Sequence, residues 1–198
     1  MADIRAFHRQ ALQTAADIVS RVEVSDLGLA TPCAEWTLGD LLAHMTVQNY
    51  GFAAAARGER TELSFWEPAP AGEDPVGEFQ ASASDILAAF AEEGVLDRDF
   101  YLPELSTEKT FEGKRAIGFQ LIDNVAHGWD VAKALGAQAP FGTDLLAMAL
   151  PLTLTVPGGA TRDQQRSVFA REVPTGAGAH ALDQIVAWLG RDPGWQPS

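Results

Sequence analysis

The sequence predicts an all-α fold: four helices form the body of the molecule, and further helices follow them. Three observations carry this reading. Apolar residues recur at helical spacing in four long segments; cap-forming or Gly/Pro residues bound those segments; and only residues 95–113 invite a strand.

The first helix covers residues 3–22, where Ile4, Phe7, Leu12, Ala15, Ile18, Val19 and Val22 keep an approximate helical repeat with polar groups between them. Gly28 and Pro32 interrupt what comes next. Thr37, with Asp40 three residues on, is an N-terminal capping signature, and the second helix runs from there to about Arg57. After Gly58, residues 67–75 carry three prolines among acidic groups, which predicts a surface loop. The third helix takes Val76 to Glu93, with Phe79, Ile86, Leu87 and Phe90 on its apolar side, and stops at Gly94.

Residues 95–113 hold Phe100, Tyr101 and Leu102, then a polar stretch to Phe111, and read either as a short hairpin or as an irregular loop. The fourth helix spans Lys114 to Leu135. On it Ile117, Leu121, Ile122, Val125, Trp129 and Leu135 cover one arc, while Asp123, His127 and Asp130 form a stripe at its edge. Residues 143–155 and Ala179 to Leu189 add a fifth and a sixth helix, the last ended by Gly190. The expected organisation is one domain over 1–198, with a bundle core at about 3–136 and a C-terminal extension at about 137–198.

Composition narrows the function. With 46% hydrophobic residues, the 198-residue chain can bury a substantial core without cross-links. Cys33 is the single cysteine, so neither an internal disulfide nor a cysteine-cluster metal site is available. A formal charge of −13 repels phosphate backbones and anionic membranes, which argues against nucleic acid and membrane partners. Charges in every turn of the N-terminal segment exclude a signal peptide or membrane span there, and a cytoplasmic location is expected. No P-loop or GxGxxG spacing supports nucleotide binding.

The chemistry concentrates in His44 and in Asp123 with His127. The four-residue separation of Asp123 and His127 places both on one helical face, so they converge with His44 if the second and fourth helices pack together. Two imidazoles and a carboxylate suit zinc, nickel or ferrous iron, and three protein ligands leave a position for water or substrate. Each residue also has a plainer reading: His44 as a hydrogen-bonded core histidine, and Asp123 with His127 as an intrahelical ion pair. Leu121, Ile122 and Val125 around Asp123 weigh against the second, because a carboxylate among apolar neighbours needs a cation. Asp130 is the candidate to orient a ligand or handle a proton, with an exposed polar edge as its alternative. Gln48, one turn beyond His44, is a candidate to line the cavity and contact a bound cofactor. Cys33 reads as a small packing residue set apart from the ligand face, although a thiol before a helix N-terminus can be reactive. His8 and His180 lack companions at ligand spacing, and Trp36 and Trp129 read as core or pocket wall.

Three stretches resemble a known family. They are Thr31-Pro32-Cys33-Ala34-Glu35-Trp36-Thr37-Leu38-Gly39-Asp40-Leu41-Leu42-Ala43-His44, Asp123-Asn124-Val125-Ala126-His127-Gly128-Trp129-Asp130, and Leu189-Gly190-Arg191-Asp192-Pro193-Gly194-Trp195. Over nearly the whole chain they are similar to DinB/YfiT-like metal-binding proteins, related to the N-terminal domain of mycothiol-dependent maleylpyruvate isomerase. The resemblance implies a DinB-like four-helix bundle holding a divalent metal, with His44, Asp123 and His127 at the ligand positions. It also implies a low-molecular-weight thiol such as mycothiol as cofactor or partner, a small-molecule substrate, and a homodimer. The isomerase carries a second C-terminal domain that helps build its active site, so isomerisation of maleylpyruvate itself is not expected here; it also has glutamate where this chain has Asp123, whose shorter reach implies a different metal preference. The leading expectation is a metalloenzyme for thiol-dependent transfer or isomerisation. A metal-dependent hydrolase, a non-catalytic metal-stabilised or ligand-binding protein, and a metal-free interaction module stay open beside it.

Overall fold

A computed structural model describes residues 3–33, 35–70, 72–163 and 169–197. Helices α1 (Ile4–Val19), α2 (Leu38–Ala56), α3 (Pro75–Phe90) and α4 (Gly113–Ala134) form the bundle, followed by α5 (Thr143–Thr153) and α6 (Ala181–Trp188). α1 packs on α4 and α3, and α2 packs on α3 and α4, so the four helices enclose one core. α5 rests on α4, α1 and α6. The fold is therefore helical in the way the sequence predicts, with one small sheet among the described residues.

Local chemistry sets the boundaries. Thr37 accepts from the Asp40 N–H while the Asp40 side chain accepts from the Thr37 N–H, a reciprocal box that starts α2 where the sequence places it. Asp74 caps α3 by accepting from the Gly77 N–H, and Pro75 takes the first helical position, where no N–H is needed. This corrects the reading of residues 67–75 as loop throughout: residues 67–70 are exposed, Ala71 lies outside the described residues, and the last proline is helical. α1 ends at Val19 rather than near residue 22, because the Arg21 and Val22 N–H groups turn back to the Ile18 and Val19 carbonyls. Val22 stays 8% exposed, so it keeps the apolar pattern without belonging to the helix.

The segment before α4 is a hairpin. Strands β1 (Asp99–Tyr101) and β2 (Thr110–Glu112) pair antiparallel with Phe100 opposite Phe111. α4 begins at once after β2, and the Gly113 N–H donates to the Arg98 carbonyl at 2.7 Å. A Cβ on Gly113 would stand 1.9 Å from the Val95 carbonyl oxygen, so only glycine fits this join. Close packing recurs at Gly51, where a Cβ would meet the Trp66 indole at 2.6 Å.

α4 is the axis of the molecule. With α1, α2, α5 and α6 packed around it, the polar stripe that periodicity put at its edge is drawn inside: Asp130 is 0% exposed and His127 4%. Among the described residues no helix is long and apolar enough to cross a membrane.

Candidate metal centre

Four pieces of chain build the site. α2 carries His44; α4 carries Asp123, His127 and Asp130; the loop before α2 brings Cys33 and Trp36; and the turn after α6 brings Arg191. The donor atoms of His44, Asp123 and His127 lie within 4.8 Å of one another. The two imidazole centroids are 5.0 Å apart and nearly perpendicular, and the Trp36 ring walls them at 4.6 Å from His44 and 6.1 Å from His127.

The nitrogens of His127 face different partners. Nε2 is 3.3 Å from Asp123 Oδ1, and Nδ1 is 3.0 Å from Asp130 Oδ2. Arg191 Nη2 donates to the same Asp130 oxygen at 3.0 Å, and the Cys33 Sγ lies 3.2 Å from it. Arg191 Nη2 is also 3.1 Å from the Cys33 sulfur.

Two donor groups therefore share His127: His44 with Asp123, and Cys33 with Asp130. Charge separates them. The second group already faces the Arg191 guanidinium, and a divalent ion there would be pressed against a fixed cation. Arg191 acts on the first only at longer range, with no hydrogen bond from it to His44 or Asp123 among the described residues, and Asp123 keeps 24% of its side chain exposed, which gives access from solvent. The residues His44, Asp123 and His127 fit a divalent metal; Cys33 and Asp130 do not.

Protonation agrees with this division. Burial, with the charge of His127 added, holds His44 down at about 4, so it is a neutral imidazole with a lone pair at neutral pH. Burial also opposes charge on His127, but Asp123, Asp130 and Cys33 outweigh it and raise its pKa well above the ordinary value. Asp123 and Asp130 are both held below the usual carboxylate range despite burial, the first by His127, His44 and Arg191, the second by Arg191 and His127. Without metal, the proton on His127 Nε2 is the positive charge opposite Asp123. A divalent ion would replace it.

Gln48 is 5% exposed, and its Nε2 donates to Glu104 Oε2 at 2.7 Å, tying α2 to the loop between β1 and β2. Burial lifts the Glu104 carboxyl above its ordinary range; the Gln48 bond works against this, and the Asp123 charge adds to it.

Several readings change. Cys33 is not apart from the ligand stripe. Thr31 Oγ1 donates to the Cys33 and Trp36 carbonyls, and a bridge pairs Ala30 with Thr37, so the chain turns tightly before α2 and lays both side chains on α4. Asp130 is not an exposed edge but a buried carboxylate behind His127. His180 has a local task, accepting from the Leu182 N–H at the start of α6. Sequence reasoning gave no role to Arg191 or Glu104. One signal pointed to Arg191: a second carboxylate on a buried helix requires a cation, just as Asp123 does.

Comparisons with known proteins align with this site. The family model described as the mycothiol maleylpyruvate isomerase N-terminal domain matches residues 8–132. That segment contains His44, Asp123, His127 and Asp130, and leaves Arg191 outside. Two uncharacterized proteins of Mycobacterium tuberculosis, from strains CDC 1551 / Oshkosh and ATCC 25618 / H37Rv, are each 29% identical over 184 residues, covering 93% of this chain and 95% of theirs. The crystal structure of the mycothiol-dependent maleylpyruvate isomerase superposes with a TM-score of 0.60 at 16% identity, over 76% of this chain. This chain spans 66% of that structure's length, and the likeness is one of fold.

Proposed function

Because this chain belongs to the mycothiol maleylpyruvate isomerase N-terminal domain family, we propose that it is a divalent-metal enzyme acting on a small molecule with a low-molecular-weight thiol, mycothiol being the one the family name supplies. The observation that carries the proposal is the convergence of His44, Asp123 and His127 within 4.8 Å, with the second nitrogen of His127 committed to Asp130.

Zinc or nickel suits this donor set best, with ferrous iron the next choice. When bound, such a metal supplies Lewis acidity and stabilises the deprotonated form of a thiol or water in its open position. The protein supplies the rest. His44 presents a lone pair because burial keeps it neutral, and Asp123 contributes the anionic donor at the partly open side. Trp36 covers the imidazoles and limits water beside them. Gln48, one turn beyond His44, orients the Glu104 carboxylate near the charge of Asp123, where a bound cofactor or substrate would meet it.

The test is metal analysis of the untagged protein, followed by calorimetry of the zinc- or nickel-loaded form with mycothiol and simpler thiols. About one metal per chain and thiol binding with proton release are expected. Absence of stoichiometric metal overturns the proposal. A loaded protein that ignores thiols but cleaves activated esters is a hydrolase, and a metal without an exchangeable position is structural.

A further inference from the structure

We propose that Arg191 is a positioning residue of this centre: it holds Asp130 against His127 Nδ1 and thereby keeps His127 Nε2 turned toward Asp123 and His44. The inference rests on the metal reading above, and it concerns a residue outside the segment that the family model matches.

The geometry is that of a clamp. Arg191 reaches both Asp130 oxygens, with Nη2 at 3.0 Å from Oδ2 and Nε at 3.4 Å from Oδ1, so it fixes the plane of the carboxylate as well as its position. Asp130 is 0% exposed and Arg191 7%, which leaves water little part in holding either. The guanidinium is itself held. Its Nη1 donates to the Leu189 carbonyl at 2.8 Å, its backbone N–H donates to the Val186 carbonyl at 2.9 Å, and it lies over the Phe169 ring at 5.6 Å. The carbonyls come from the C-terminal end of α6, where a cation is favoured. Gly190, with φ of +85°, makes the turn that aims Arg191 back toward α4.

An imidazole whose Nδ1–H donates to a fixed carboxylate offers Nε2 as its lone pair, and partners of this kind set both the tautomer and the ring orientation of a ligand. Without the guanidinium, Asp130 loses two of the bonds that hold it, and among the described residues the Cys33 contact remains besides His127. Asp130 is then free to swing away from Nδ1, and the ring orientation that turns Nε2 toward Asp123 and His44 is no longer fixed. The C-terminal turn is thus part of the metal centre although it supplies no ligand.

The test compares wild type with Arg191→Gln, Arg191→Lys and Asp130→Asn. Zinc affinity is read by competition with a chromophoric chelator, and the His127 ring by nitrogen–proton NMR, zinc-free and zinc-loaded; circular dichroism checks folding. Arg191→Gln should lose about 10- to 100-fold in zinc affinity and shift or lose the His127 Nδ1–H signal in both states. Arg191→Lys, which keeps the charge but not the fork, should recover part of each. Wild-type affinity in a folded Arg191→Gln overturns the inference, and so does weakened affinity with unchanged His127 signals, which marks a merely structural role. If Arg191→Gln does not fold, wild-type affinity in Asp130→Asn overturns it. If wild type binds no zinc, the metal reading fails; an unchanged zinc-free His127 signal in Arg191→Gln, or in Arg191→Lys should Arg191→Gln not fold, then overturns the clamp separately.

Discussion

Replacing His8 with leucine should stabilise the protein, and the gain should grow as the pH falls. His8 is 0% exposed on α1, packs against Phe90 at a centroid distance of 4.7 Å, and has no hydrogen-bond partner on either ring nitrogen among the described residues. Burial, with the Arg9 charge added, lowers its pKa to about 3. In the unfolded chain it titrates near its ordinary value of about 6.5. The folded state therefore refuses a proton that the unfolded state accepts, and stability falls as the pH drops below the unfolded value. At pH 5 the gap of about 1.5 units is worth about 2 kcal/mol, and it widens until the folded group titrates too. Leucine has a similar volume and removes this cost, along with roughly 1–3 kcal/mol per polar group left unpaired at any pH. His44 and His127 titrate alike in both proteins, so they cancel in the difference. Urea unfolding of metal-free wild type and His8→Leu at pH 7 and pH 5 measures it. A stability difference that stays constant between those values refutes the reasoning.

The other predictions bear on the metal. His44→Ala and His127→Ala should each strip the ion; full wild-type stoichiometry and affinity in both, read by elemental analysis and chelator competition, would remove the assignment. Zinc affinity should fall by about tenfold per unit as the pH drops from neutrality, because the metal competes with one proton on His127, and the fall should steepen near pH 4 where His44 also protonates. A flat profile down to pH 4 contradicts imidazole ligation. Cys33→Ser should keep the metal stoichiometry, since a hydroxyl still donates to Asp130, whereas Cys33→Ala should weaken affinity modestly by removing that donor. Loss of metal in Cys33→Ser would make Cys33 a ligand.

What could be read from the sequence follows the range of the interactions. Helices α1 to α4 are legible because each shows an apolar repeat with a cap or a break beside it, and the errors sit at ends, where Pro75 and the turn after Val19 are decided by a single hydrogen bond or its absence. Asp123 and His127 are legible as a pair because four residues make one helical turn. Cys33 and Arg191 are not, because they reach Asp130 across 97 and 61 residues of chain, and no local pattern encodes such a meeting. His8 shares α1's buried stripe with Ile4, Ala11, Leu12 and Ala15, so its burial was legible from spacing, but its lack of a partner was not.

The His127 imidazole, pinned on one side by Asp130 and facing Asp123 on the other, gives the centre a scaffold that exists before any ion arrives. On the proposed metal reading, exchange of the Nε2 proton for a divalent ion would alter the charge by one unit while asking little movement of α2 or α4. Loading would in that sense be an electrostatic event rather than a mechanical one: the two forms would share a shape and differ by one positive charge, which in the filled form would favour small anions at the side that Asp123 leaves open.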